Sequence, residues 1–345
     1  MKYAKVKKVD AEKIKQLLLE KKYLHKNYGI IKEKEHILFP ITDSGAEELS
    51  GEKKVEGVDV VEAEGIKKEE RYNFLDLLKK VIPEKELCEL TKSFDIVGDI
   101  AIIQVPKGKE RFERIIADAI LKTNKNVKVV LKRADVHQGE FRTQKMEWLA
   151  GEKRKETIHK ENGVKIMLNV EKVYYSPRLS TERMRIAKQV KPGEDVLVMF
   201  SGCAPFCCVI AKNSKAKSVF GIEKNKVGHD YGIKNIIINK LKNIYLINGD
   251  VKEVAPRIEK RFDRIVMPLP KSAGDFLEYA FMLSKKIAII HFYDFQREGE
   301  FQKSEEKILA KCRELGRKCE IIRTVSCGAY SPRVFRICVD FIARS

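Results

Sequence analysis

Along the second half of the chain, short apolar runs alternate with amphipathic stretches. Runs at 195–200, 218–222, 244–248, 264–267 and 287–292 read as strands, and helical periodicity marks 181–189, 205–212, 226–239, 274–283 and 301–315. Two further runs, 319–325 and 333–343, close the chain as strands. Strands separated by helices predict an open, mostly parallel, doubly wound sheet whose ligand lies outside the strand carboxyl ends.

Upstream the pattern differs. Residues 1–65 read as a small α+β module with a helix at 11–22, strands flanking a charged turn within 28–41, and loops with one short strand (58–61) over 43–65. Its aromatic residues Tyr23, Tyr28 and Phe39 either form its own core or stack on exposed bases. From 66 to 172 a middle α+β domain is expected. It has a helix at 73–81, a hairpin of 94–97 and 100–105 turning at Gly98-Asp99, a helix at 112–122 and a strand at 127–131. A polar stretch at 136–147 and a second hairpin, 157–161 and 165–169 around Asn162-Gly163, complete it. A short strand at 173–175 then leads into the last domain, 173–345. The expected fold class is α/β: a Rossmann-like doubly wound domain, a middle α+β domain and a small N-terminal α+β module.

At 345 residues and 43% hydrophobic, the chain can bury more than one core. No apolar run approaches the ~20 residues of a membrane span, and the first residues lack a signal-peptide pattern, so a cytoplasmic protein is expected. Eight cysteines are too few for a disulfide scaffold, and Cys207-Cys208 are not spaced as metal ligands; reduced, mostly buried thiols and no metal are expected. The net charge of +19 calls for a polyanionic partner. Residues 1–70 hold 15 basic and 15 acidic side chains, 71–190 hold 26 and 17, and 191–345 hold 28 and 18, so the excess lies wholly after residue 70.

Candidate chemistry sits at the ends of four successive strands. Ser201-Gly202-Cys203-Ala204 allows close backbone approach to a ligand, and Pro205 suits the first turn of a helix. Glu223 is placed to accept hydrogen bonds from a ribose diol, Asp250 to accept from an adenine amine, and Pro268-Leu269-Pro270 to wall a planar ring. Singly, each acid is as well explained as a helix cap; in this order they indicate a nucleoside-type cofactor. No GxxxxGK[ST] loop occurs, which disfavours ATP. The six histidines do not cluster in sequence, and His291 reads as a satisfied histidine at a strand end.

The order of these loops is similar to that of S-adenosylmethionine methyltransferases. At 174–183 (YYSPRLSTER), 139–142 (GEFR), 149–152 (LAGE), 158–163 (IHKENG), 199–206 (MFSGCAPF), 263–271 (DRIVMPLPK) and 329–333 (AYSPR), the chain closely resembles the archaeal and eukaryotic tRNA (guanine-37-N1)-methyltransferases. The resemblance implies a tRNA partner, S-adenosyl-L-methionine as cofactor, and a monomer. It places Glu182 as the base that takes the guanine N1 proton and Arg142 as the partner of O6. Arg178 and Arg183 would shape the pocket or bind phosphates of the flipped nucleotide, with Tyr174, Pro268 and Pro270 beside the base. Phe200, Gly202, Glu223, Asp250 and Leu269 would hold the donor. Attack should be direct and in line, with neither metal nor covalent enzyme intermediate.

Three positions depart from the family pattern. Val198 stands where an acid is usual, Ala204 where a second glycine is, and Pro268 where an asparagine is. Other readings remain open: methylation or aminocarboxypropyl transfer on a tricyclic guanine derivative at the same tRNA position, or a tRNA-binding protein that has lost catalysis.

Overall fold

A computed structural model describes residues 1–344 apart from 52–54, 68–72, 91–92, 135–139 and 270–272. The chain divides into two compact units, Met1–Asn73 and Phe74–Ser345. Among the described residues no helix is long and apolar enough to cross a membrane.

In the first unit, β1 (Lys2–Lys7), α1 (Ala11–Glu20), β2 (Ile31–Lys32), β3 (His36–Pro40), α2 (Asp43–Ser50) and β4 (Val58–Glu62) form an antiparallel sheet of order β2-β3-β1-β4 carrying both helices. The core holds Ile14, Leu18, Phe39 and Leu49, so Phe39 is a core residue and not a base-stacking one. Where loops were expected over 43–50 there is a helix. Thr42 caps it by accepting from the Gly45 N–H at 3.1 Å. Gly45 is needed for contact, since a Cβ there would lie 2.7 Å from Cβ of Tyr23. Taken as a turn signal, this glycine hides the helix.

The second unit begins with α3 (Phe74–Lys79) and α4 (Glu84–Glu89), then β5 (Asp95–Val97), β6 (Ile100–Ile103), α5 (Glu113–Thr123), β7 (Val129–Arg133) and β8 (Met146–Gly151). These strands make a sheet of order β5-β6-β7-β8. The helix α4 carries too few apolar positions to stand out in sequence, and the strand β8 is short and flanked by polar residues on both sides. A hairpin of β9 (Glu156–Glu161) and β10 (Val164–Asn169) follows. The expected strand at 173–175 is absent: that segment is irregular and pairs with no strand.

The large sheet is built from α6 (Ser180–Gln189), β11 (Asp195–Met199), α7 (Pro205–Asn213), β12 (Ser218–Glu223), α8 (Lys226–Ile238), β13 (Ile244–Asn248), the single turn α9 (Val251–Val254), β14 (Phe262–Met267), α10 (Leu277–Leu283), β15 (Ser284–Arg297), α11 (Gln302–Glu314), β16 (Lys318–Ser331) and β17 (Val334–Arg344). Its order is β13-β12-β11-β14-β15-β17-β16, parallel through β15, with β17 antiparallel to both neighbours. Strands β11 to β13 step one way from the centre and β14 starts on the other side, which leaves a crevice at the strand carboxyl ends between β11 and β14. Leu197, Val198, Ile265, Val266 and Ile290 are fully buried between the two helical layers.

Two local arrangements were not foreseen. Asn235 on α8 and Asn239, which caps its C-terminus one turn later, dock the edge of β10. Their amide oxygens accept from the N–H groups of Met167 and Lys165 (2.7 and 2.8 Å) and their amide nitrogens donate to the same residues' carbonyls. Cys312 and Cys319 are joined in a disulfide, which corrects the expectation of eight thiols. The turn from α11 into β16 brings their α-carbons to 6.3 Å, a closeness that composition cannot reveal. Cys203, Cys207, Cys208 and Cys338 are buried thiols, whereas Cys88 is exposed.

Candidate active site

A cavity of about 390 Å³, within the range of small-molecule sites, opens at this crevice. Beyond Met199 the chain turns through Phe200 (φ 59°), Gly202 (φ 57°) and Ala204 (φ 62°) before Pro205 starts α7. Three left-handed residues in this short turn let its backbone line the cavity. For Phe200 and Ala204 that conformation costs about 1–2 kcal/mol each, whereas Gly202 adopts it freely. The start of α8 lies against the same turn, since a Cβ on Gly228 would come 3.4 Å from the carbonyl carbon of Gly202.

Glu223 ends β12 and faces the cavity. Its carboxylate accepts from the Gly202 N–H (2.6 Å) and the Asn225 N–H (2.7 Å). Burial pushes its pKa above the ordinary value, and these backbone donors pull it partly back. Asp250 caps α9 by accepting from the Lys252 N–H at 2.9 Å and pairs with Lys224 at 2.9 Å. Lys224 also pairs with Glu140, so it ties the loop before Arg142 to the strand ends. Phe200 and Phe276 meet edge to face at 4.8 Å, and Pro268 and Leu269 complete that wall. The Ser201 hydroxyl is buried at the cavity without a partner. A carboxylate for a diol, a backbone turn, an aromatic wall and a spare hydroxyl suit a nucleoside-type ligand.

Arg142 (φ 52°) and Tyr174 also line the cavity, the guanidinium 5.2 Å from the Tyr174 ring and 5.7 Å from that of Phe295. The Tyr174 hydroxyl accepts from Arg336 at 2.9 Å. Arg183 lines the cavity too, but its guanidinium is buried and makes two 2.6 Å hydrogen bonds to Glu161. Of the two tasks expected of it, this burial allows shaping of the pocket and not phosphate binding. Arg178 is outside the cavity: it is exposed and pairs with Asp95 (2.7 Å), which also holds Arg133. Pro270 lies outside the described residues.

Glu182 sits behind the cavity wall and not in it. Arg185 grips both of its oxygens (2.6 and 2.8 Å), and the buried Tyr293 hydroxyl donates to one of them at 2.5 Å. Arg185 also holds Asp340 (2.5 and 3.1 Å), which accepts in turn from Arg323 at 2.8 Å and from Nδ1 of His291 at 2.6 Å. Nε2 of His291 is 2.8 Å from Arg264. Because a guanidinium only donates, Nε2 is the bare nitrogen and Nδ1 carries the proton. His291 is thus a satisfied buried histidine, as its sequence position suggested. Burial pushes its pKa down; burial alone would raise that of Asp340, but hydrogen bonds from His291 and Arg185 hold it well below the carboxylate range.

His291, Cys338 and Asp340 lie close enough to hold a metal ion. However, Arg185, Arg264 and Arg323 already donate to two of them, and a cation there would sit among three guanidiniums. Sequence reasoning missed this network. Only the reading of His291 as a satisfied histidine touched any of it.

The chain is 37% identical over 333 residues to the tRNA (guanine(37)-N(1))-methyltransferase Trm5b of Pyrococcus abyssi, across 96% of each protein. It belongs to the TRM5/TYW2 methyltransferase family. The TRM5/TYW2 methyltransferase domain matches residues 157–322, the TYW2 N-terminal domain 74–154 and the tRNA methyltransferase 5 N-terminal domain 5–48. The solved complex of aTrm5 with tRNALeu is 31% identical, covers 99% of both chains and superposes with a TM-score of 0.76. The chain is also 38% identical over 233 residues to the tRNA 4-demethylwyosine(37)-methyltransferase Taw21 of Saccharolobus solfataricus, covering 67% of this chain and 86% of that protein. The cofactor of this TRM5/TYW2 enzyme is S-adenosyl-L-methionine. Its departures from the family pattern fall in different places: Val198 is buried in the middle of β11, Ala204 takes the left-handed turn before α7, and Pro268 lines the cavity.

Proposed function

We propose that this enzyme methylates N1 of guanosine at position 37 of tRNA, with Glu182 as general base and Arg142 beside O6. The observation that carries this reading is that one cavity joins Glu223, Gly202 and Asp250 to Arg142 and Tyr174. Groups suited to a nucleoside donor and groups suited to a purine thus share a single chamber. S-adenosylmethionine supplies a methyl group on a positively charged sulfur. The protein must then deprotonate a weakly nucleophilic ring nitrogen and balance charge moving to O6.

For Glu182 to act as base, its carboxylate turns from Arg185 towards the cavity once the nucleotide is seated. Arg185 is suited to releasing it, because Asp340 remains as a second carboxylate for the guanidinium. Arg183, braced by Glu161, keeps the start of α6 fixed meanwhile. Tyr174 and Pro268 then border the flipped base, and Asp250 and Leu269 the donor.

The test is incubation with an unmodified tRNA transcript and methyl-labelled donor, followed by mapping of the modified nucleotide. Label in 1-methylguanosine at position 37 is expected, and label elsewhere or none overturns the reading. A second reading, methylation of a tricyclic guanine derivative at that position, is motivated by the similarity to Taw21. Transfer to tRNA carrying that derivative, with none to the plain transcript, would favour it.

A further inference from the structure

Strand β14 pairs with β15 only as far as Met267 opposite Phe292, yet β15 runs on to Arg297 beside β17, and β16 pairs with β17 as far as Ser331 opposite Val334. Five residues of β15 therefore overhang the end of β14, roughly 17 Å of extended chain. This three-stranded flap stands at the carboxyl end of the sheet, beside the cavity.

The flap carries a cluster of rings and guanidiniums. Phe295 lies 5.7 Å from the Arg142 guanidinium and 5.4 Å from that of Arg336. Tyr330 packs on Phe295 with ring centroids 4.1 Å apart and the planes tilted by 34°, yet remains 48% exposed. Pairing of β16 slips on both sides of Ala329, and Gly328 is left-handed (φ 108°). Irregularities of this kind re-aim side chains. The Nε of Arg336 is buried and has no partner. An exposed ring backed by a second ring and by cations is costly for a surface that only faces water, and it suits a flat, electron-rich group attached to phosphates.

We propose that Tyr330, backed by Phe295, is a stacking site for the unpaired base next to the nucleotide being modified. The inference rests on the tRNA reading above. Once the target base is drawn into the cavity its neighbour loses a stacking partner, and the Tyr330 ring replaces it. Stacking on a ring tolerates any base, so the site would add affinity and hold the loop open without restricting sequence. Arg142 links the two places, since it lines the cavity and lies against Phe295.

The test uses the full-length enzyme and tRNA transcripts that are intact or abasic at position 36 or 38. Tyr330→Leu keeps bulk on Phe295 but removes the flat face; Tyr330→Phe keeps both. The Leu variant should bind intact tRNA about tenfold more weakly, whereas the Phe variant, donor affinity by calorimetry and the melting temperature should stay unchanged. One of the two abasic sites should weaken binding to the wild type but not to the Leu variant. Additive effects of the abasic site and Tyr330→Leu, or unchanged binding by that variant, would overturn the stacking site. Methylation at position 37 by the wild type is scored in the same samples, so failure of the stacking site is distinguishable from failure of the tRNA reading.

Discussion

Two carboxylates, one behind the cavity wall and one in it, are proposed to have separable tasks. Glu182 is held by Arg185 and Tyr293 behind the wall, whereas Glu223 faces the cavity and holds the backbone of the Gly202 turn. Glu182→Gln keeps the shape but cannot take a proton. Single-turnover methyl transfer should fall on the order of 100- to 10,000-fold, with donor and tRNA binding retained; an unchanged rate would remove Glu182 from the chemistry. Glu223→Ala removes both the proposed ribose acceptor and the brace on Gly202. Donor affinity measured by calorimetry should therefore drop while tRNA affinity holds, and equal donor affinity in both proteins would take Glu223 out of the cofactor site.

Among the elements, α6 and the strands β14, β15 and β17 are locked by Arg185, Arg264, His291 and Asp340. Acid should act on this lock first. His291 is buried and neutral with its pKa lowered, so the unfolded chain takes up that proton first, and stability falls as pH drops below about 6.5. Asp340 also has a lowered pKa; its contribution is present above about pH 4 and is lost below it. Chemical denaturation from pH 7.5 to 5 should show a loss of stability that is smaller in His291→Asn than in the wild type. An equal slope in both would mean that the histidine is not the group that titrates. The elements themselves were largely legible. Most helices and strands from 180 onward fall close to their expected bounds, but β15 and β16, expected at 287–292 and 319–325, run on to Arg297 and Ser331, beyond their apolar runs. By contrast, α2 was lost to Gly45 and β8 to its polar setting, where tertiary contact overrides local preference.

At the scale of the whole molecule, charge is divided unevenly. The positive excess lies after residue 70, and the second unit starts at Phe74. The salt dependence of tRNA binding should therefore belong to the second unit, and the first should contribute recognition of shape. A chain starting at Asn73 is expected to keep its salt slope but to discriminate less between intact tRNA and an anticodon stem-loop. Binding of both RNAs to both proteins over a salt series checks this, and a flattened slope with discrimination intact would reverse the division.

By itself the sequence determined the layered α/β plan, the loops at the ends of four strands, and a set of candidate residues most of which line the cavity. Those features are local: a period, a turn residue or a short motif fixes each of them. Only the tertiary structure decided which groups are already engaged. Arg183 is paired with Glu161 and Glu182 is gripped by Arg185, while Nδ1 of His291 donates to Asp340, which lies on the neighbouring strand but 49 residues away in the chain. The Cys312–Cys319 bond and the packing of Tyr330 on Phe295 are of the same kind. Burial and pairing depend on what other segments bring to the same point, and a linear pattern carries no record of that distance.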